Sequence, residues 1–285
     1  MWLGFFVSTS MAEPVAVSPR WLVNFPASTN GKAAESTAVP VDGNSLLVAV
    51  VTGGADPQNP KVQVGNRAVT AKVIGHDPVS RLQFLQIADG SSPKSPEWLG
   101  DSGDSIGATL IAMAPGGPVK CRTTGWQKQV GGKILPLALL KVTFGGAVPP
   151  AGTPLMDDAG RVAAIVFQDA GAGNTGYAIP AEAVRRVQRD ICNGGHLIRG
   201  WLGLSLRSES QSPQVFRVLA NSPASAAGIL PGDVLTSIGS RQITDYADAA
   251  NAFFYLIPGQ PVKVKLLRGV EQLEFPLTPT KPDSK

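Results

Sequence analysis

SPASAAGILPGDVLTSIGSRQI, residues 222–243, decides how the C-terminal part of this chain folds. It runs as a short helix of small residues, a glycine, a Pro-Gly-Asp turn and a strand. Upstream, GWLGLSLR (200–207) and VFRVL (215–219) read as strands. Downstream, Asp245 is placed to N-cap a longer helix, because its side chain can accept a free N–H of the first turn. That helix carries Ala249, Ala250, Phe253 and Phe254 as a compact apolar face. PVKVKLLRGVEQLEFPL (261–277) is a hairpin that turns at Gly269. The order is strand, strand, short helix, strand, longer helix, hairpin. The Pro- and Lys-rich residues after Thr278 are expected to fray.

WLGL, residues 201–204, precedes the strand 205–207. A glycine lets the backbone turn so that successive N–H groups converge on one point, and such a nest attracts a C-terminal carboxylate. The strand edge can pair with an extended peptide, and the longer helix forms the opposite wall. Trp201, Leu202, Gly203, Leu204, Ser205, Leu206, Ala249, Ala250 and Phe253 are the candidate peptide-binding residues. The competing reading makes them plain domain core. The arrangement resembles a PDZ domain, over about residues 200–278, with WLGL similar to that family's carboxylate-binding loop. The resemblance implies a module at 196–280, with 281–285 a flexible tail, whose partners are the C-termini of peptides or proteins.

The composition frames the rest. The chain has 285 residues, 43% of them hydrophobic and only 16% charged, with 32 glycines and 24 prolines. That excludes a coiled coil or long-helix bundle and leaves room for two domains with sizeable cores. Frequent turns between short apolar runs read as β-rich. The net charge of +4 comes without a Lys/Arg block. Arg185, Arg186 and Arg189 read as the solvated face of a helix, so no nucleic-acid partner is expected. No run reaches 18 apolar residues, so no transmembrane segment is expected. The two histidines, His76 and His196, and the two cysteines, Cys121 and Cys192, form no zinc spacing, and no metal or other cofactor is expected. The cysteines either pair over a long range or remain two free thiols. MWLGFFVSTSMA at the start reads as a signal-peptide remnant or a flexible N-terminus, 1–19.

Between residues 20 and 195 the pattern is short strands and tight turns. WLVNF (21–25), the apolar run 46–51, KVQV (61–64), RLQFLQI (81–87) and RVAAIVFQD (161–169) are strands. In 81–87, Leu82, Phe84 and Leu85 alternate imperfectly and leave the inward face open. A helix follows from Ala181 to about Asp190, with Pro180 near its start and Gly194-Gly195 at its end.

Three segments carry a second resemblance. AKVIGHDPVSRLQFLQI (71–87), PPAGTPLMDDAGRVAAIVF (149–167) and STAVPVDGNSLLVAVVTGGA (36–55) resemble the trypsin-like domain of the HtrA (DegP-like) proteases. The order of the modules matches as well. The fold this implies is mainly β, a trypsin-like double β-barrel followed by a PDZ domain. It also implies a periplasmic or secreted location and assembly as a homotrimer, or in mixed assemblies with active relatives. The residues depart from the family at the chemistry. The position of the nucleophilic serine is Ala151, that of the aspartate is Arg81, and that of the histidine is Val50. Pro149 and Pro150 supply no N–H, and Thr153 stands where the family has glycine, so the oxyanion loop changes too. His76, Asp77, Ser80 and Cys121 are the other reactive groups, each without an evident base or orienting partner. On these residues the chain is expected not to be an enzyme. It is read as a non-catalytic protein binding peptide C-termini on a protease-like scaffold. The alternatives are an active serine endopeptidase with an atypical site, and a purely structural or regulatory subunit.

Overall fold

Leu46–Val50, LLVAV, is buried at every position. A half-solvated strand would alternate; a continuous apolar run needs apolar neighbours on both faces. In the computed structural model, which describes residues 21–282 apart from 44, 89–93, 101–105, 172 and 208–211, this strand has both. Leu47 and Ala49 pack with Trp21, Val23, Phe25 and Leu85 inside a first sheet. Leu46, Val48 and Val50 pack with Phe84, Trp98, Val162 and Ile165 between two layers. The expected N-terminal segment and the end of the tail lie outside the described residues.

The first sheet contains β1 (Trp21–Phe25), β2 (Ala34–Pro40), β3 (Leu46–Val50), β4 (Lys61–Val64), β5 (Arg67–Val69), β6 (Ala71–Asp77) and β7 (Leu82–Ile87). It is antiparallel and ordered β5-β4-β1-β2-β3-β7-β6. The imperfect alternation of β7 is explained by its burial on both faces. Leu82 and Phe84 enter the layer between the sheets, and Leu85 and Ile87 enter the first core.

A closed barrel follows, built from β8 (Thr109–Ala114), β9 (Gly117–Val130), β10 (Lys133–Phe144), β11 (Pro154–Met156), β12 (Val162–Asp169) and β13 (Thr175–Pro180). The first half of β12 repeats the logic of β3. Val162 and Ile165 face the layer between the sheets, and Ala163, Ala164 and Val166 face the barrel core.

Helix α1 (Ala181–Gly194) ends at the expected Gly194-Gly195 pair. Gly195, at φ 73°, stops it and returns its N–H to Ile191 O at 2.8 Å. Val184, Val187 and Ile191 pack into the layer between the sheets. The expectation of a solvated arginine face is corrected at Arg186, which is buried while Arg185 and Arg189 are exposed. Its guanidinium lies 2.6 Å from Asp190 and donates to the carbonyls of Ile198 and Leu256 at 2.8 and 2.9 Å. The reason is the chain connection: backbone carbonyls of the linker and the C-terminal module are buried here and need donors.

The C-terminal module contains β14 (Leu204–Leu206), β15 (Val215–Val218), α2 (Pro223–Ala226), β16 (Val234–Ile238), β17 (Arg241–Gln242), α3 (Tyr246–Phe254), β18 (Val262–Arg268) and β19 (Glu271–Leu277). Apart from the two-residue β17, this is the expected order. Ser222 Oγ caps α2, and Asp245 Oδ1 caps α3 by accepting Asp248 N–H at 2.7 Å. Arg268 holds Asp233 of the Pro-Gly-Asp turn through two hydrogen bonds of 2.8 and 2.9 Å. The fraying expected just after Thr278 is not what Thr280 shows. Thr280 exchanges backbone hydrogen bonds with Trp201, at 2.8 and 3.0 Å. The apolar face expected on α3 also divides. Ala249 enters the core of the module, and Phe254 leaves it for the layer between the two sheets. Cys121 is buried and Cys192 exposed, and both are free thiols, so the disulfide alternative is not taken.

Candidate functional site

Two regions hold the residues singled out above. In the first, backbone hydrogen bonds draw Val50, Arg81 and Ala151 together. Val51 N–H donates to Arg81 O at 2.9 Å, and Thr37 N–H donates to Ala151 O at 2.8 Å. Ser36 Oγ sits between the other two, accepting Val50 N–H at 2.9 Å and lying 3.2 Å from Ala151 O. Gly152 allows this approach. Its φ is +78°, and a Cβ there would overlap Thr37 O and Ser36 Oγ. Arg81 is exposed and held at φ 60°, in the left-handed region that costs most residues about 1 kcal/mol or more.

The chemistry of these side chains is limited. Val50 and Ala151 are hydrocarbon, and Arg81 is a fixed cation. Of the nearby backbone donors, Gly152 N–H goes to Val166 O and Thr153 N–H to Pro150 O, at 2.7 and 3.2 Å. Ser80 Oγ donates to Asp77 at 2.6 Å, and Ser80 N–H donates to the same oxygen at 2.8 Å, which makes a buried local turn. His76 does not join it; its Nδ1 lies 3.1 Å from Leu82 O. Burial lowers the His76 pKa, with Arg81 adding to the effect against the Leu82 carbonyl and Asp77. Burial pushes the Cys121 thiol up to about 11, so it is a neutral thiol near pH 7. Asp157 belongs to a turn and is bound by Arg161 at 2.8 Å. Among the described residues no cluster of His, Cys, Asp and Glu is arranged to hold a metal.

The second region is the space between β14 and α3. β14 pairs only with β15 among the described strands. Leu219 N–H bonds Gly203 O at 2.8 Å and Arg207 N–H bonds Gln214 O at 2.9 Å. The Gly203 carbonyl and the main-chain groups of residues 205 and 207 are therefore directed at β15, and those of Leu204 and Leu206 point to the other edge. Gly203 has φ +79°, and a Cβ on it would overlap Ser222. No other residue fits this turn without displacing the start of α2.

The residues named for the groove sort by burial. Trp201, Leu204, Leu206, Ala250 and Phe253 are half-buried, and Ser205 is exposed. Leu202 and Ala249 are core side chains, at 3% and 0% exposure, which corrects their place in the groove: Leu202 offers a ligand only its backbone, and Ala249, whose N–H is bonded to Asp245 O in the helix, offers it nothing. Tyr246 was missed. It is half-buried and stands at i, i+4, i+7 with Ala250 and Phe253, a spacing that was available in the sequence. A different face of α3 is docked on the β9–β10 hairpin. Asn251 Oδ1 accepts Ala138 N–H at 3.0 Å, and Lys128 pairs with Asp248 and, at 3.5 Å, with Asp245. Burial would raise the Asp248 pKa, but Lys128 and Thr244 hold it below the usual carboxylate value.

Residues 200–278 match the family model described as PDZ domain. The chain is 26% identical over 234 residues to the probable periplasmic serine endoprotease DegP-like of Chlamydia trachomatis, covering 74% of this chain and 46% of that one. It is 28% identical over 233 residues to the protein of the same name in Chlamydia muridarum, with shares of 74% and 46%. The chain thus spans about half the length of the curated relatives it matches. Its fold is similar to that of the HtrA-type protease AlgW with tripeptide, at a TM-score of 0.65 and 22% identity over 94% of this chain and 95% of that one. These findings correct the expectation that the chain is not an enzyme. The curated relatives it matches are serine proteases by name, and that is the finding that overturns it. That expectation rested on the three triad positions, the altered oxyanion loop and the lack of a placed base elsewhere, all of them local features.

Proposed function

We propose, from the premise that this chain is homologous to the HtrA/DegP-like serine proteases with a C-terminal PDZ domain, that it captures protein C-termini in the groove between β14 and α3. The observation that carries the reading is the free main-chain edge of Leu204 and Leu206 beside the turn at Gly203. A peptide adds there as a strand, its terminal carboxylate meets the N–H groups of residues 202–204, and its last side chain enters the apolar space beside Leu204, Ala250 and Phe253. The borders follow the sequence reading, a first module to about residue 195 and the groove module from 196. The relatives' names support a periplasmic location, and the fold relationship is compatible with a homotrimer or a mixed assembly. Fluorescence anisotropy with peptides ending in an apolar residue tests the reading. Binding that is lost on C-terminal amidation is expected; equal binding of the free acid and the amide would remove the groove from this role.

The relatives favour a second property of the same chain, serine endopeptidase activity from an atypical site. Ala151 cannot attack a carbonyl, so the nucleophile has to come from elsewhere. Ser36, the hydroxyl between Val50 and Ala151, is fully buried and donates to the carbonyls of Thr37 and Ala151, so it is a structural link and not that nucleophile. Casein cleavage by the native chain, abolished by a serine-directed inhibitor while C-terminal peptide binding persists, is the expected result. No turnover by the native chain would end this reading and leave the groove untouched.

A further inference from the structure

Among the described residues, no carboxylate opposes the positive charge on the outward face of the β14–β15 ribbon. Ser205 and Arg217 are cross-strand partners, and both are exposed. Phe216 is the extra residue where the register shifts between Ser205 and Leu206, and it is 58% exposed. Arg207 lies over its ring, 5.4 Å from the centroid. The module's other charges are largely spoken for. Arg268 holds Asp233, Lys128 holds Asp245 and Asp248, and Glu274 meets Lys263 and Lys265. No carboxylate pairs with Arg207 or Arg217 among the described residues; Glu209 lies outside them.

Resting on the proposed groove, the geometry points to a specificity rule: the preferred ligand ends in an apolar residue and carries Asp or Glu at the penultimate and fourth-from-last positions. The argument is strand alternation. A peptide added antiparallel to β14 with its last side chain directed into the groove turns the third-from-last side chain inward as well. The penultimate and fourth-from-last side chains then stand on the opposite face, the face of Ser205, Arg207 and Arg217. Running antiparallel, the penultimate residue lies beside the Ser205–Arg217 pair and the fourth-from-last beside Arg207. Arg207 is on the neighbouring strand, where opposite side chains approach to about 4.5–5.5 Å, whereas Arg217 is one strand further, about 9–10 Å away, and reaches the penultimate residue over the small Ser205. Phe216 fixes the Arg207 guanidinium from below, which reduces the freedom lost when an acid binds it.

The test is a peptide series on the full chain, with one apolar C-terminus and Glu, Gln or Lys at each outward position. Each Glu is expected to tighten binding about two- to five-fold over Gln at low salt, with Lys weaker still and the difference shrinking as salt rises. In R207E/R217E the order is expected to invert, with the Lys peptides preferred. Equal binding of the Glu, Gln and Lys peptides, with amidation still abolishing binding, overturns the specificity rule and leaves the groove standing. Binding that is indifferent to amidation as well overturns both.

Discussion

Gly203 is a position where one methyl group decides both shape and binding. Its φ of +79° is open to glycine, and a Cβ would strike Ser222, the cap of α2. Gly203→Ala is expected to cost at least about 1–3 kcal/mol from the backbone alone. The same change should remove C-terminal peptide binding, read by thermal unfolding and anisotropy on one sample. Arg186 shows the limit of reading residues singly. Three arginines on a helix suggest a wet face, and nothing local marks the middle one as buried. Its role comes from Ile198 and Leu256, which are distant or on another element. Arg186→Ala leaves Asp190 buried without its partner and is expected to destabilise the chain by about 3–5 kcal/mol, measured by urea unfolding. The two thiols also separate at this scale. With Cys121 buried and raised to about 11, and Cys192 exposed, one thiol is expected to react with Ellman's reagent in the native chain and two in denaturant.

The element with the most duties is α3. Its apolar residues read as one patch but divide between the module's core and the layer between the sheets, while its N-cap, which follows from a single side chain, was legible in the sequence. Its third duty was not. Asp248 and Asn251 look like solvent residues until the β9–β10 hairpin is placed beside them, and that contact spans more than a hundred residues of sequence. The strands β3 and β12 were legible as buried because their apolar runs have no polar face to give to water. The linkage at Asp248 makes a pH prediction. Its pKa is depressed in the folded state, so its contribution is complete above the unfolded value near 3.9 and is lost as pH falls through the folded value. The stability difference between the native chain and Asp248→Asn is therefore expected to be present at pH 6 and to shrink below about pH 4. Thermal melts across that range check it.

For the molecule as a whole, the mainly β architecture was readable from turns, glycines and short apolar runs, and the PDZ-like order from the 222–243 stretch; that the first sheet stays open beside one closed barrel was not. The triad positions and the oxyanion loop of the first part point away from catalysis, but each substitution describes one side chain, whereas homology describes the whole chain. What no local pattern indicated is that Phe254 belongs to both parts at once. It sits on a helix of the second module and is buried in the layer of the first, with Leu137, Val162 and Val187. A cut at residue 195 would therefore not release a finished unit. It would leave a phenylalanine, two acids and an asparagine facing water where a hairpin had covered them. The excised module is expected to self-associate on gel filtration, and Phe254→Gln in that fragment is expected to relieve it. Transplanting this module behind an unrelated barrel would meet the same obstacle, because the receiving surface travels with the donor protein and not with the graft.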